Sequence, residues 1–307
     1  MAARPKPESL RERSERQKRE ARENKRASGF HRGRRAELAY GQALRQFAQQ
    51  IARLIEAFAP EGKTEQITPD RLAQINEALA RYAHGVEPWA KATAWRMISE
   101  TNRRDKLAWE HYTRGMSEAL RQEVRETPIG EHVQTLLGEQ VRLITSMPRE
   151  AGQWVHERSL ASMEAGTRYQ ERTAIESGYD PETGVWKRAP PARTELVEKL
   201  AQANPEATEK WLRNRATLIA RTETARAQSV LVQARSKHIG AELYYWQTAE
   251  DWKVRESHQR LQAARTPYGL GIYKWDEPPL SDPPDYHSHP GQIFNCRCVA
   301  LPIIPET

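Results

Sequence analysis

Apolar side chains recur every three or four residues between positions 36 and 177, a period that fits an amphipathic helix and does not fit a strand. Between residues 36 and 59 the repeating positions are Leu38, Leu44, Phe47, Ile51, Leu54, Ile55 and Phe58. Thr68-Pro69-Asp70 opens a second helix, because proline is favoured at the first helical position. Further helical patterns cover residues 88–103, 105–126, 131–145 and 150–177, with predicted breaks at Thr127-Pro128 and Met147-Pro148.

The composition changes after this helical region. Residues 177–184 and the run Ala189-Pro190-Pro191 are rich in Gly, Pro and polar residues, so we place a linker at 178–192. A helix is predicted near 193–203, and Asn204-Pro205-Glu206 begins a longer one that ends at about Lys237. From residue 243 the run LYYW favours a strand. We therefore predict an α+β, predominantly α chain: a long-helix N-terminal region followed by a helix pair with a small β-rich C-terminal cap.

The 307 residues include only two cysteines, which is typical of a protein that assembles in a reducing cytoplasm. No apolar run approaches the roughly 20 residues that a helix needs to cross a bilayer. The basic N-terminus is not followed by the apolar core of a signal peptide. We expect neither membrane insertion nor secretion.

Positive charge is concentrated at the N-terminus. Residues 1–35 hold thirteen of the 48 Lys and Arg residues but only five of the 41 Asp and Glu residues, so the rest of the chain is nearly neutral. This pattern predicts an arm, disordered or helical when bound, that contacts DNA, RNA or an acidic protein surface. A solvated tail is the alternative interpretation. The candidate nucleic-acid-binding residues are Arg11, Arg13, Arg16, Lys18, Arg19, Arg22, Lys25 and Arg26.

Both cysteines and two histidines lie within twelve residues near the C-terminus. In an extended segment Cys296 and Cys298 share one face, as do His287 and His289, and the turn signal Pro290-Gly291 would fold one pair over the other. This spacing is compatible with a structural tetrahedral zinc site. The alternative is two reduced thiols and solvent-facing histidines. A disulfide between the cysteines is disfavoured, because neighbouring same-face positions have parallel side chains.

Three phrases in the C-terminal part occur in a familiar order: ARTETAR at 220–226, WQTAEDWKVRESHQRL at 246–261, and FNCRC at 294–298. Together they resemble the phage Mu F-like family of head morphogenesis, or minor capsid, proteins. The resemblance covers about residues 193–304. The matching polar residues, which we interpret as a structural network that holds the cap, are Arg221, Thr222, Glu223, Arg226, Asp251 and Arg255.

His258 lies in the second phrase and adds a third candidate histidine. We predict Cys296, Cys298, His258 and His289 as the zinc ligands, with His287 as the substitute for one histidine. No catalytic residue is predicted, because an ion with four protein ligands has no position left for a substrate.

The resemblance implies a non-enzymatic minor head protein of a tailed phage. Residues 36–177 would be a helical region that docks to the portal and major capsid proteins, residues 193–307 would form the Mu F-like domain, and the arm would meet DNA. The protein would be present in multiple copies in the virion head, near the portal, after assembly in the bacterial host cytoplasm. Its role would be head morphogenesis and genome packaging or ejection.

Two other functions are compatible with the same residues. One is a metal-dependent nuclease or other hydrolase that uses the His/Cys cluster, with Glu256 or Asp285 as the general base. The other is a nucleic-acid-binding module whose contacts are all in the arm and are tolerant of sequence.

Overall fold

A computed structural model describes residues 29–31, 33–58, 68–168, 179–180, 185–186, 205–282 and 286–304. All eight candidate DNA-binding residues of the arm lie outside the described residues. So do the helix predicted at 193–203 and most of the predicted linker at 178–192.

The described helices are α1 (Arg34–Glu56), α2 (Pro69–Gly85), α3 (Glu87–Tyr112), α4 (Glu118–Glu126), α5 (Gly130–Arg168), α6 (Pro205–His238) and α7 (Glu256–Ala263). Local capping explains several of their starts. Thr68 Oγ1 accepts a hydrogen bond from the backbone N–H of Arg71, 3.3 Å away, and Pro69 is the first residue of α2. Ser117 caps α4 in the same way through the N–H of Leu120.

Two predicted helix boundaries are wrong. The division near residue 104 does not exist, because α3 continues to Tyr112 and the chain turns before the Ser117 cap instead. The predicted break at Met147-Pro148 is also absent, since α5 runs through Pro148. One proline costs a helix about 3 kcal/mol. The helix buries a continuous stripe around it, and each large apolar side chain contributes about 1.5–3 kcal/mol, which offsets that cost. The stripe is Ile144, Met147, Ala151 and Val155.

The strands are β1 (Tyr179–Asp180), β2 (Val185–Trp186), β3 (Leu243–Gln247), β4 (Arg265–Thr266), β5 (Gly269–Leu270), β6 (Ile272–Lys274), β7 (Leu280–Asp282), β8 (Tyr286–His287) and β9 (Val299–Ile303). β3 is the centre of a three-stranded antiparallel sheet in the order β6-β3-β9. The other strands form antiparallel pairs, β1 with β2, β4 with β5 and β7 with β8. The predicted class is confirmed: the protein is predominantly α with a small β cap.

The described chain forms two compact units. One contains the described residues up to Gln42, Lys91–Val141 and those from Leu218 onward; the other contains Ala43–Ala90 and the described part of Arg142–Thr217. Each unit therefore draws on both sides of the predicted linker. The domain boundaries predicted from composition stay a prediction.

The core of the unit that contains the cap is rich in aromatic residues. Phe30 packs edge-on against Trp109, with ring centroids 5.3 Å apart, and belongs to the same buried cluster as Tyr244, Trp246 and Trp275. In the other unit Trp154 stacks on Trp211 with centroids 5.6 Å apart. Among the described helices, none is long and apolar enough to span a membrane.

A buried ion pair that the sequence did not predict lies beneath the cap. Arg235 of α6 donates to the carboxylate of Asp105 on α3 and, at 2.7 Å, to Asn102 Oδ1. The side chains of Arg235 and Asp105 are 1% and 0% exposed. A buried pair of this kind is costly to break from one side, because the remaining charge would be buried without its partner. It joins α3 to α6 within the unit that holds the cap.

Candidate metal centre

Cys296, Cys298 and His258 meet in the interior of the cap. The Nδ1 atom of His258 is 3.3 Å from Cys298 Sγ and 3.6 Å from Cys296 Sγ. The three ligand atoms all lie within 4.8 Å of one another, and all three side chains are buried. The structure thus brings together three of the four predicted zinc ligands.

Two local features place the cysteines. Cys298 directly precedes β9, whose pairing with β3 begins at Val299 opposite Gln247. The preceding loop turns sharply at Gly291, which has φ of +87°, and at Asn295, which has φ of +56°. A Cβ atom on Gly291 would lie 2.9 Å from the carbonyl oxygen of Ala225 on α6, so glycine permits close packing of the loop on that helix.

The sulfur atoms lie among hydrogen-bond donors. The backbone N–H groups of Gly291 and Cys298 donate to Cys296 Sγ over 3.3 and 3.4 Å. A hydrogen bond from Cys298, together with the bond and charge of His258, lowers the pKa of Cys296 well below its usual value. The hydrogen bond to Cys296 and burial raise the pKa of Cys298. The surroundings of Cys296 therefore favour a thiolate.

His289 is not at this centre, and the four-ligand arrangement predicted from the sequence needs correction. Its Nδ1 atom is 3.0 Å from the Tyr244 hydroxyl, and its Nε2 atom is 3.4 Å from Gln233 Nε2. The ring also packs edge-on against Trp275. These contacts direct the imidazole toward β3 and α6, so the Pro290-Gly291 turn does not fold the two histidines over the cysteines.

His287 does not replace it. Its Nδ1 atom contacts the carbonyl oxygen of Pro278 at 2.8 Å, and the residue is exposed. In the part of the chain that the structure describes, the cluster therefore has three protein ligands. The sequence analysis predicted no catalysis because four protein ligands would leave the ion no position for a substrate. With three protein ligands, that argument against catalysis no longer applies.

The motif residues of α6 contact a polar network and the loop between β8 and β9, residues 288–298, which we call the cysteine loop. Thr222 Oγ1 accepts a hydrogen bond from the N–H of Asn295 at 3.2 Å. Glu223 accepts one from Gln140 at 2.6 Å, and Gln140 in turn accepts one from the Tyr40 hydroxyl at 3.0 Å. Glu223 is thus a buried carboxylate with specific donors.

The two arginines of the first motif form ion pairs. Arg226 pairs with Glu139 at 2.8 Å and with Glu223 at 3.4 Å. Arg221, which is half exposed, lies 3.7 Å from Glu37. Both arginines and their partners lie in the unit that contains the cap.

Residues of the second motif also contact the cysteine loop. Arg297, which lies between the two cysteines, forms two hydrogen bonds with the carboxylate of Asp251. Arg255 donates to the carbonyl oxygen of Phe294 at 2.7 Å and lies 3.9 Å from Asp282. These bonds link both ends of the FNCRC segment to the turn before α7.

Sequence reasoning missed several partners of these motif residues. Arg297 had a usable signal, since it stands between the two cysteines of the third motif. Gln140 and Tyr40 had none, because they are far from the motifs in sequence and their role depends on tertiary contacts. Gln233 follows the first motif on α6, but its contact with His289 also depends on the tertiary structure.

Residues 155–301 match the family described as "Phage Mu protein F like protein". This part of the chain is similar to the Mu F-like family. The matched range contains all three motifs and all three clustered ligands, so the resemblance inferred from the sequence is confirmed. The family points to a phage protein related to the head or capsid.

One relative is an "Uncharacterized protein" of Haemophilus influenzae, 34% identical over 95 residues. That alignment covers 31% of this chain and 19% of the relative, so the chain spans about a fifth of the relative's length. No solved structure matches the chain significantly.

The buried His289 predicts a pH dependence of stability. Burial, and then the positive charge of Lys237, lower its pKa to about 4, although Asp276 acts in the opposite direction. An unfolded histidine has a pKa of about 6.5, so the unfolded chain binds more protons between pH 6.5 and 4. This residue should therefore destabilise the fold as pH falls through that window, by about 2–3 kcal/mol.

Urea unfolding at several pH values between 7 and 4 would measure this effect. We expect the free energy of unfolding to depend less steeply on pH in His289→Gln than in the wild type. His287→Gln, which alters an exposed histidine two residues away, is the control and should follow the wild type. Equal slopes for His289→Gln and the wild type would contradict the assignment.

Proposed function

We propose that this protein is a structural minor head protein of a tailed bacteriophage, which acts by binding in head morphogenesis and in genome packaging or ejection. The observation that carries the proposal is the Mu F-like match over residues 155–301. Within that range, the motif side chains contact the cysteine loop, α6 and the turn before α7, as residues that hold a domain together do.

Contacts with the portal and major capsid proteins are the central part of this role. We expect the helical region 36–177 to take part in them. The Mu F-like region adds two candidate anchors, since Trp252 and Phe294 are 86% and 63% exposed. Exposed aromatic residues are common energetic centres of protein interfaces.

Hydrogen bonds hold the backbone segments that carry these two aromatic side chains. Asp251 bonds to Arg297, and Arg255 bonds to the carbonyl oxygen of Phe294 itself. The turn with Trp252 and the turn with Phe294 are therefore linked before any partner arrives. Such preorganisation lowers the entropic cost of binding.

A density map of assembled heads that contain the protein tests the proposal. We expect a small number of copies near the portal, and a uniform distribution over the capsid would contradict it. The double variant Trp252→Ala/Phe294→Ala should fold with an unchanged melting temperature but should be incorporated into heads at least about tenfold less, because hot-spot truncations cost 2 kcal/mol or more. Tyr268→Ala, another exposed aromatic residue of the cap, is the control and should be incorporated normally.

The N-terminal arm is proposed to contact the packaged DNA. Its support is the concentration of charge in residues 1–35, against a nearly neutral remainder. Because such contacts are made with phosphates, binding should tolerate any sequence and weaken steeply with salt.

Replacing the eight candidate arm residues with Gln tests this contact without shortening the chain. The affinity for duplex DNA should fall more than about tenfold at 50 mM salt, and the slope of log K against log salt should become much shallower. A control that deletes the arm should remove only residues before Gly29, because Phe30 is buried in the core. If the Gln variant kept the wild-type affinity, the arm would not be the contact.

A metal-dependent hydrolase is the second candidate, and the three-ligand cluster is the observation that favours it. Catalytic zinc sites have three protein ligands and an open fourth position. Of the predicted bases, Glu256 pairs with Arg260 on the exposed side of α7, and Asp285 lies outside the described residues.

Incubation with supercoiled plasmid and a divalent metal distinguishes the hydrolase from a protein that acts by binding alone. Cleavage that His258→Ala abolishes would support the hydrolase, and intact plasmid would support binding alone.

A further inference from the structure

We propose that Cys296, Cys298 and His258 bind one zinc ion through two thiolates and the imidazole Nδ1, and that this ion fastens the cysteine loop to α7. The inference concerns the stability of the cap and does not depend on the role in the phage head. It differs from the ligand set predicted from the sequence, because neither His289 nor His287 takes part.

The spacing of the ligand atoms fits a zinc ion. Zn–S bonds of about 2.3 Å and Zn–N bonds of about 2.0–2.1 Å at a tetrahedral angle place sulfur and nitrogen about 3.6 Å apart. The observed distances from His258 Nδ1 are 3.3 Å to Cys298 and 3.6 Å to Cys296. Shifts of a few tenths of an ångström would therefore accommodate the ion.

The direction of the imidazole also favours a metal. A neutral Nδ1 atom has either one proton or one lone pair, so it can form one good hydrogen bond. Here it faces two sulfur atoms at similar distances, which a single hydrogen bond does not explain and a shared cation does. The ring is held edge-on by Trp246, with centroids 5.3 Å apart.

Charge balance in the buried site supports the same ion. Two thiolates and a neutral imidazole around Zn²⁺ have no net charge, so the ion would neutralise the two sulfur anions in this buried site. The backbone N–H groups of Gly291 and Cys298 point at Cys296 Sγ. Metal-bound ligands commonly have such hydrogen-bond partners around them. Binding would release to solvent the proton that Cys298 carries as a thiol.

The proposed ion would join elements that are short. α7 has eight residues, and His258 is its buried residue, so a bond from this side chain to the cysteines would help to hold the helix against β9. Among the described residues the protein supplies three ligands, which leaves the fourth position for solvent or for a ligand from elsewhere.

Measurements on the full-length wild-type chain test the proposal directly. We expect about one zinc per chain by elemental analysis, and X-ray absorption should fit two sulfur neighbours and at least one nitrogen. Cobalt substitution should add the charge-transfer band of thiolate ligands. A chelator should lower the melting temperature, because an ion that binds only the folded state stabilises it. Less than about 0.2 equivalents after zinc loading, with melting unaffected by the chelator, would overturn the proposal.

Matched variants test the ligand set. Cys298→Ser and His258→Gln should each reduce bound zinc at least about tenfold, because each removes a metal ligand. His258→Cys should restore binding by supplying a third thiolate. His289→Gln should keep one zinc per chain and the cobalt spectrum of the wild type. If His289→Gln stayed folded by circular dichroism and lost its zinc, the three-residue assignment would be wrong.

Discussion

The close packing of the cysteine loop on α6 is the constraint on which the arrangement of the cap depends. Gly291 lies so close to the carbonyl oxygen of Ala225 that no side chain fits, and Asn295 donates from its backbone to Thr222. With the loop held at these two points, Cys296 and Cys298 face inward and β9 can pair with β3. A displacement of the loop would therefore disturb the thiol cluster and the edge of the sheet together.

The same loop is held on its other side by charged residues. Asp251 and Arg255, at either end of the turn that carries Trp252, reach Arg297 and the carbonyl oxygen of Phe294. Ion pairs that are partly exposed contribute little to stability one at a time. Here they have a geometric role, because they connect two segments of the Mu F-like region that are separated in sequence.

Much of the fold could be predicted from local pattern. The start of α6 at Pro205 and the strand at 243–247 follow from signals within a few residues, because capping and alternation are local effects. The continuation of α5 through Pro148 could not be predicted, since it depends on burial of Ile144 and Val155 by neighbouring elements. Gln140, Arg235 and Asp105 became recognisable only when distant helices were brought together.

For the candidate site, the sequence by itself determined the chemistry: two thiols on one face of an extended segment, a histidine in the second motif, and a family resemblance carried by three phrases in order. Only the tertiary structure decided which histidine joins the thiols. His258 is brought to them by α7, whereas His289, closer in sequence, is taken by Tyr244 and Gln233. The physical reason is that backbone spacing limits where a side chain can reach, and the packing of the sheet on α6 selects one of those positions.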